Sequence, residues 1–119
     1  MAITASYTKR NSGAKLVWNA ATASQTINCG DKPDERIVLL VENANTVAGQ
    51  TATVTISKGD FLGNVLGDLA VIVAKGDTAT IGPLGSTRFK NSASEVTVGV
   101  AVTASGTVSN VKIGVIKLP

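Results

Sequence analysis

Apolar and polar residues alternate with a period of two in several stretches of the chain, and small or turn-forming residues interrupt them at short intervals. This pattern predicts strands with one packed face and one polar face, because helical apolar positions would recur every three or four residues. The clearest strand is 50–57, where Ala52, Val54 and Ile56 alternate with Thr51, Thr53 and Thr55. Residues 95–103 set Val96, Val98, Val100 and Val102 against Thr97, Gly99 and Ala101, and 108–118 turns Val111, Ile113 and Val115 inward. Shorter strands are predicted at 15–19, 24–28 and 87–90. The run Ile37-Val38-Leu39-Leu40-Val41 is too short and too β-branched for a helix, so 36–42 reads as a central strand buried on both faces. Leu69, Val71 and Val73 point inward from 69–74, and Lys75-Gly76-Asp77 then turns the chain into 78–81, which predicts a hairpin. The segment from Phe61 to Gly67 does not alternate. It reads as a long loop or one helical turn that lays Phe61, Leu62 and Leu66 over an end of the core.

Together these segments predict an all-β protein: a single-domain β-sandwich of roughly eight short, mainly antiparallel strands over 15–119. Residues 1–14 precede it as a basic N-terminal arm or a first strand. A chain of 119 residues suits one domain and buries enough surface to need neither disulfides nor a structural metal. Composition agrees, since the 15 Val, 8 Ile and 14 Thr are residue types that favour pleated, half-buried surfaces. Trp18 shares a face with Leu16, which predicts a place in the core.

Charged residues make up 16% of the chain, against about 25% in ordinary soluble domains. Small neutral side chains cover the polar positions instead, which points to a surface that faces other protein. The net charge of +3 is too small for a nucleic-acid binder, which needs a clustered basic stripe. No acid appears before Asp31, whereas Lys9, Arg10 and Lys15 lie within the first fifteen residues. That segment holds the excess positive charge and little of the alternating core, and it is a candidate for docking on an acidic partner. Tyr7, Lys9, Arg10, Lys15 and Thr97 are the candidate partner-contact residues. The chain begins without the basic-then-apolar pattern of a secretory leader and contains no run of about 18 apolar residues, so a soluble protein made in the cytoplasm is expected, with no membrane contact.

Chemistry-bearing motifs are scarce. Histidine is absent and cysteine occurs once, which removes the usual general bases and zinc ligands, so no catalytic residue, cofactor, metal or small-molecule substrate is expected. Cys29 has an acid nearby, Asp31, in place of the cations that would activate a thiol. Lys58-Gly59-Asp60 and Lys75-Gly76-Asp77 follow strands and read as turns. Gly59, Gly63 and Gly67 lack the Lys-Ser/Thr of a phosphate loop. Asp31, Asp34 and Glu35 are interleaved with Lys32 and Arg36 in a spacing that matches no calcium loop.

The stretch from Gly67 to Phe89 runs Gly67-Asp68-Leu69-Ala70-Val71-Ile72-Val73-Ala74-Lys75-Gly76-Asp77, then Ile81-Gly82-Pro83 and Ser86-Thr87-Arg88-Phe89. Valine-alternating strands follow, and the chain closes on Leu118-Pro119. This resembles the small auxiliary, or decoration, capsid proteins of tailed bacteriophages. The likeness is fairly good from Gly67 to Pro119, loose over Ile37 to Ser57, and limited to small, polar character in the N-terminal third. It implies a structural virion protein on the outer surface of a phage head that bridges major capsid protein subunits as a cement. It also implies grouping on the shell as a homo-oligomer, such as a trimer. Another phage component, of tail or fibre, could share the pattern. A cell-surface or carbohydrate-binding β-sandwich is the rival class, but its shallow sites generally use exposed aromatic rings, and aromatics are only 3% of this chain.

Overall fold

The computed structural model describes residues 2–8, 13–30, 34–85 and 87–119. Within them the alternating segments form ten strands: β1 (Ala2–Ile3), β2 (Ser6–Tyr7), β3 (Trp18–Ala20), β4 (Ser24–Asn28), β5 (Ile37–Asn43), β6 (Ala52–Ile56), β7 (Leu69–Val73), β8 (Thr78–Ile81), β9 (Glu95–Val102) and β10 (Val111–Lys117). One sheet has the order β1-β4-β9-β6-β7; the other has β2-β10-β5-β8, with β3 also paired to β10. All pairs are antiparallel except β1 with β4 and β2 with β10. The first sheet is called A and the second B. Their inner faces supply one shared aliphatic core, and the shortest molecular dimension of 20 Å suits two layers about 10 Å apart.

The alternation fixes the faces strand by strand. Ala52, Val54 and Ile56 on β6 and Val96, Val98 and Val100 on β9 are buried, as are Val111, Ile113 and Val115 on β10. On β5 the residues Ile37, Leu39, Val41 and Asn43 are buried while Val38, Leu40 and Glu42 are only partly so. The central strand is therefore fully buried on one face, not two, because only one sheet lies against it. Leu16 covers part of the other face: a Cβ on Gly114 would lie 2.9 Å from Leu16 Cδ1, so glycine there leaves the notch that Leu16 fills.

Among the described residues the strands number ten where roughly eight are expected, because the short edge strands β1 and β2 join the sheets, and four further expectations are corrected. β7 and β8 do not form a hairpin: β7 pairs with β6 in sheet A and β8 with β5 in sheet B. The turn at Lys75-Gly76-Asp77 carries the chain between layers because Asn43, at the end of β5, holds it. Gly76 N–H donates to the Asn43 carbonyl and Asn43 N–H donates to the Asp77 carbonyl. Residues 87–90 are a turn in which Thr87 has φ 62°, a left-handed conformation that ends pairing, and Arg88 N–H bonds back to the Gly85 carbonyl. The strand expected at 15–19 is shifted to Trp18–Ala20, since that is the part that reaches β10. Trp18 is 42% exposed and not in the core: it pairs with Gly114 on the outer side of sheet B, so the face it shares with Leu16 is the outer one.

The N-terminal segment also contributes more to the core than its charge suggests. β1 runs along β4 in sheet A and β2 along β10 in sheet B, so the chain crosses from layer to layer and closes that side of the sandwich. Ile3 is buried in the core, and Ser6 Oγ donates to the Lys15 carbonyl at 2.7 Å. Ile3→Ala is therefore expected to lower the unfolding free energy by about 2 kcal/mol, the lower end for a buried isoleucine because the strand is at an edge. Urea titration checks this; an unchanged midpoint would show that β1 does not close the core.

Candidate docking surface

The outer face of sheet A is built by the same alternation that builds the core. With Val96, Val98 and Val100 turned inward, β9 presents Thr97, Gly99 and Ala101 outward, and the register places Thr26 of β4 beside Thr97 and Thr55 of β6 beside Gly99. Thr53 continues the row between Ala101 and Ile72. Five strands at about 4.8 Å spacing make a surface about 19 Å across. Glu95, opposite Asn28 at one end, is the charged side chain on the described strands of this face. Threonine there offers hydroxyls that donate and accept, with methyl groups between them. A second protein can cover such a face without desolvating ions, whose burial costs several kcal/mol each. The outer side of sheet B differs: Glu42 and Lys112 face each other across β5 and β10, and Leu16 lies over the sheet.

The candidate contact residues do not form one patch. Thr97 lies centrally on the outer face of sheet A. Tyr7 and Lys15 are exposed at the edge of sheet B, brought together by the Ser6 to Lys15 hydrogen bond, with Tyr7 opposite Lys117. Lys9 and Arg10 lie outside the described residues, as does Asp31 of the acidic cluster. Among the described residues no three His, Cys, Asp or Glu side chains are grouped to hold a metal ion, and no helix is long and apolar enough to cross a membrane. Cys29 is buried. No family model, curated protein or solved structure matches this chain.

Sequence reasoning missed an apolar knob. Leu62–Leu66 forms a short 3-10 turn, as one of the two expected forms, but it does not cover the core. Leu62 and Val65 are 86% and 81% exposed, and Phe61 and Leu66 are exposed beside them. The usual arrangement is inverted: the polar Asn64 spends its amide on the Gly59 carbonyl at 3.0 Å, while the apolar side chains face out. Arg88 clamps the exit of the turn, donating from Nε to the Gly67 carbonyl and from Nη2 to those of Leu66 and Asp68. The glycines at 59 and 63 are what a close approach requires. A Cβ on Gly59 would lie 2.2 Å from the Lys90 carbonyl oxygen, and one on Gly63 would lie 2.7 Å from Thr87 Oγ1. A glycine every fourth residue in a non-alternating apolar stretch was the available signal. Its partners, Thr87 to Lys90, are too distant in sequence to be read.

Proposed function

We propose that this chain is a structural virion protein that decorates the outside of a phage head and strengthens it by bridging major capsid protein subunits. The observation that carries the reading is the neutral, threonine-lined outer face of sheet A, which suits cover by another protein. The sequence resemblance over Gly67 to Pro119 supports it independently. A decorating protein acts in many copies on a repeating shell, so avidity makes a face of modest individual contacts sufficient. The rigidly clamped apolar knob adds a second contact of low ordering cost, since its backbone is already fixed before any partner arrives.

The carbohydrate-binding alternative gains from the exposure of Tyr7, Trp18 and Phe61. It loses on their arrangement. Tyr7 pairs with Lys117 and Trp18 with Gly114, three residues apart along β10, so their side chains leave opposite faces of sheet B and do not make one platform.

Co-sedimentation with heads of the encoding phage tests the reading. Wild-type protein is expected to pellet with heads, and Thr55→Asp combined with Thr97→Asp is expected to reduce bound protein at least tenfold while the free protein stays folded. Equal binding by the two would remove the outer face of sheet A from the account.

A further inference from the structure

Strand β7 is an edge of sheet A, and along its five residues it carries no device that keeps sheet edges from pairing. Its sequence, Leu69-Ala70-Val71-Ile72-Val73, has no charge and no proline, and its five residues make it the longest edge strand among the described residues. A charged group reaches the edge just before the strand, where Arg88 Nη2 donates to the Asp68 carbonyl. Ile72 is 72% exposed on the outer face. The opposite side of the sandwich is closed by the N-terminal segment as it passes between the layers.

The direction of the free backbone groups follows from the ladder. Ser57 N–H donates to the Thr97 carbonyl, and Thr103 N–H donates to that of Thr51, so odd-numbered backbone groups on β6 face β9 and even-numbered ones face β7. Val54 is paired with Val71, so the backbone groups of Leu69, Val71 and Val73 face β6. The N–H and C=O of Ala70 and Ile72 are left on the free edge.

We propose that β7 pairs with β7 of a second copy of this chain, antiparallel about a two-fold axis at Val71, joining the two A sheets into one of ten strands. In this register Ala70 of each copy is opposite Ile72 of the other, and both residues present their backbone groups, giving four hydrogen bonds across the axis. The large Ile72 side chain lies over the small Ala70 on the outer face, and Leu69 lies opposite Val73 on the core side. Asp68 of each copy falls opposite Ala74 of the other, one position from Lys75, so opposite charges flank an uncharged centre. Asp68 Oδ1 also accepts from the Lys58 N–H of its own copy at 2.8 Å. The neighbouring registers are worse. A one-residue shift sends core-side residues to the outer face. Centring on Ala70 sets Asp68 against Ile72, and centring on Ile72 sets Leu69 against Lys75. The contact uses the same surface on both copies, so it closes as a dimer. It does not depend on what the outer face docks on.

Sedimentation of the full chain across a concentration series is expected to show a dimer, twice 12.1 kDa. Ile72→Pro removes an edge donor but no bond to β6, and is expected to give a monomer. Cross-linking tests the register even if that variant fails to fold. A hydrogen-bonded antiparallel pair has Cα atoms about 5.5 Å apart, within disulfide reach. Under mild oxidation an equimolar mixture of Ala70→Cys and Ile72→Cys proteins is expected to cross-link, while neither variant does so alone. A wild-type monomer up to the solubility limit, a dimer without cross-linking in the mixture, or cross-linking of Ile72→Cys alone would each overturn the proposal.

Discussion

Val98→Asp is expected to leave the chain unfolded, whereas Thr97→Asp, one residue away, is expected to lower the melting temperature by only a few degrees. Val98 is fully buried on β9 between Gln25 of β4 and Ile56 of β6, and its side chain enters the aliphatic core shared by the two sheets. An unpaired carboxylate there costs several kcal/mol, and the lost valine packing adds to it, against a total stability of about 5 to 15 kcal/mol for a domain. Thr97 points outward beside Thr26, where aspartate stays hydrated and loses about 1 kcal/mol of strand preference. Thermal melts followed by circular dichroism check both. Equal melting temperatures would show that the register of β9 is wrong.

Asn43→Ala is expected to cost about 3 to 5 kcal/mol, more than most substitutions of a polar residue. Asn43 is fully buried, and its Nδ2 donates to the Gln50 and Val73 carbonyls at 2.8 and 3.0 Å. Its Oδ1 accepts from the Asn45 backbone and side-chain amides at 3.2 and 2.9 Å. Asn45 in turn bonds to the backbone of Thr107. One side chain thus ties the end of β5 to β7, to the turn before β6 and to the loop before β10. Alanine leaves several of these groups buried without a partner, at about 1 to 3 kcal/mol for each that water cannot reach. Urea unfolding measures the loss. A change below about 1 kcal/mol would show that water replaces the network easily.

The same residue explains where sequence reading stopped. Alternation located β6, β9 and β10 and their inward residues, because a period of two is local and one face of each sheet is buried. It could not say which sheet a strand joins. Val73 and Ile81 both face the core, as a hairpin would also have them, yet Asn43 holds the connecting turn so that β7 and β8 enter different layers. The shared face of Leu16 and Trp18 was legible, but whether it was inner or outer depended on the pairing of Trp18 with Gly114, almost a hundred residues away. The knob at Phe61 to Leu66 was hidden for a related reason. Apolar side chains imply burial in any local reading, and only the clamp by Arg88 and the close approach of Gly63 to Thr87 hold them outward. For the candidate docking surface, Thr97 was legible as an outward residue from alternation alone. Ile72 was also legible as outward, but its place on an unpaired edge was not.

The proposed role stands or falls on where the protein sits in the particle. Electron microscopy of phage particles made with and without the chain tests this most directly. The account predicts added density on the outside of the head, with the outer face of sheet A or the Leu62–Leu66 knob against the major capsid protein, and heads that rupture more easily when the chain is missing. Density confined to the tail, or no difference between the two kinds of particle, would contradict it.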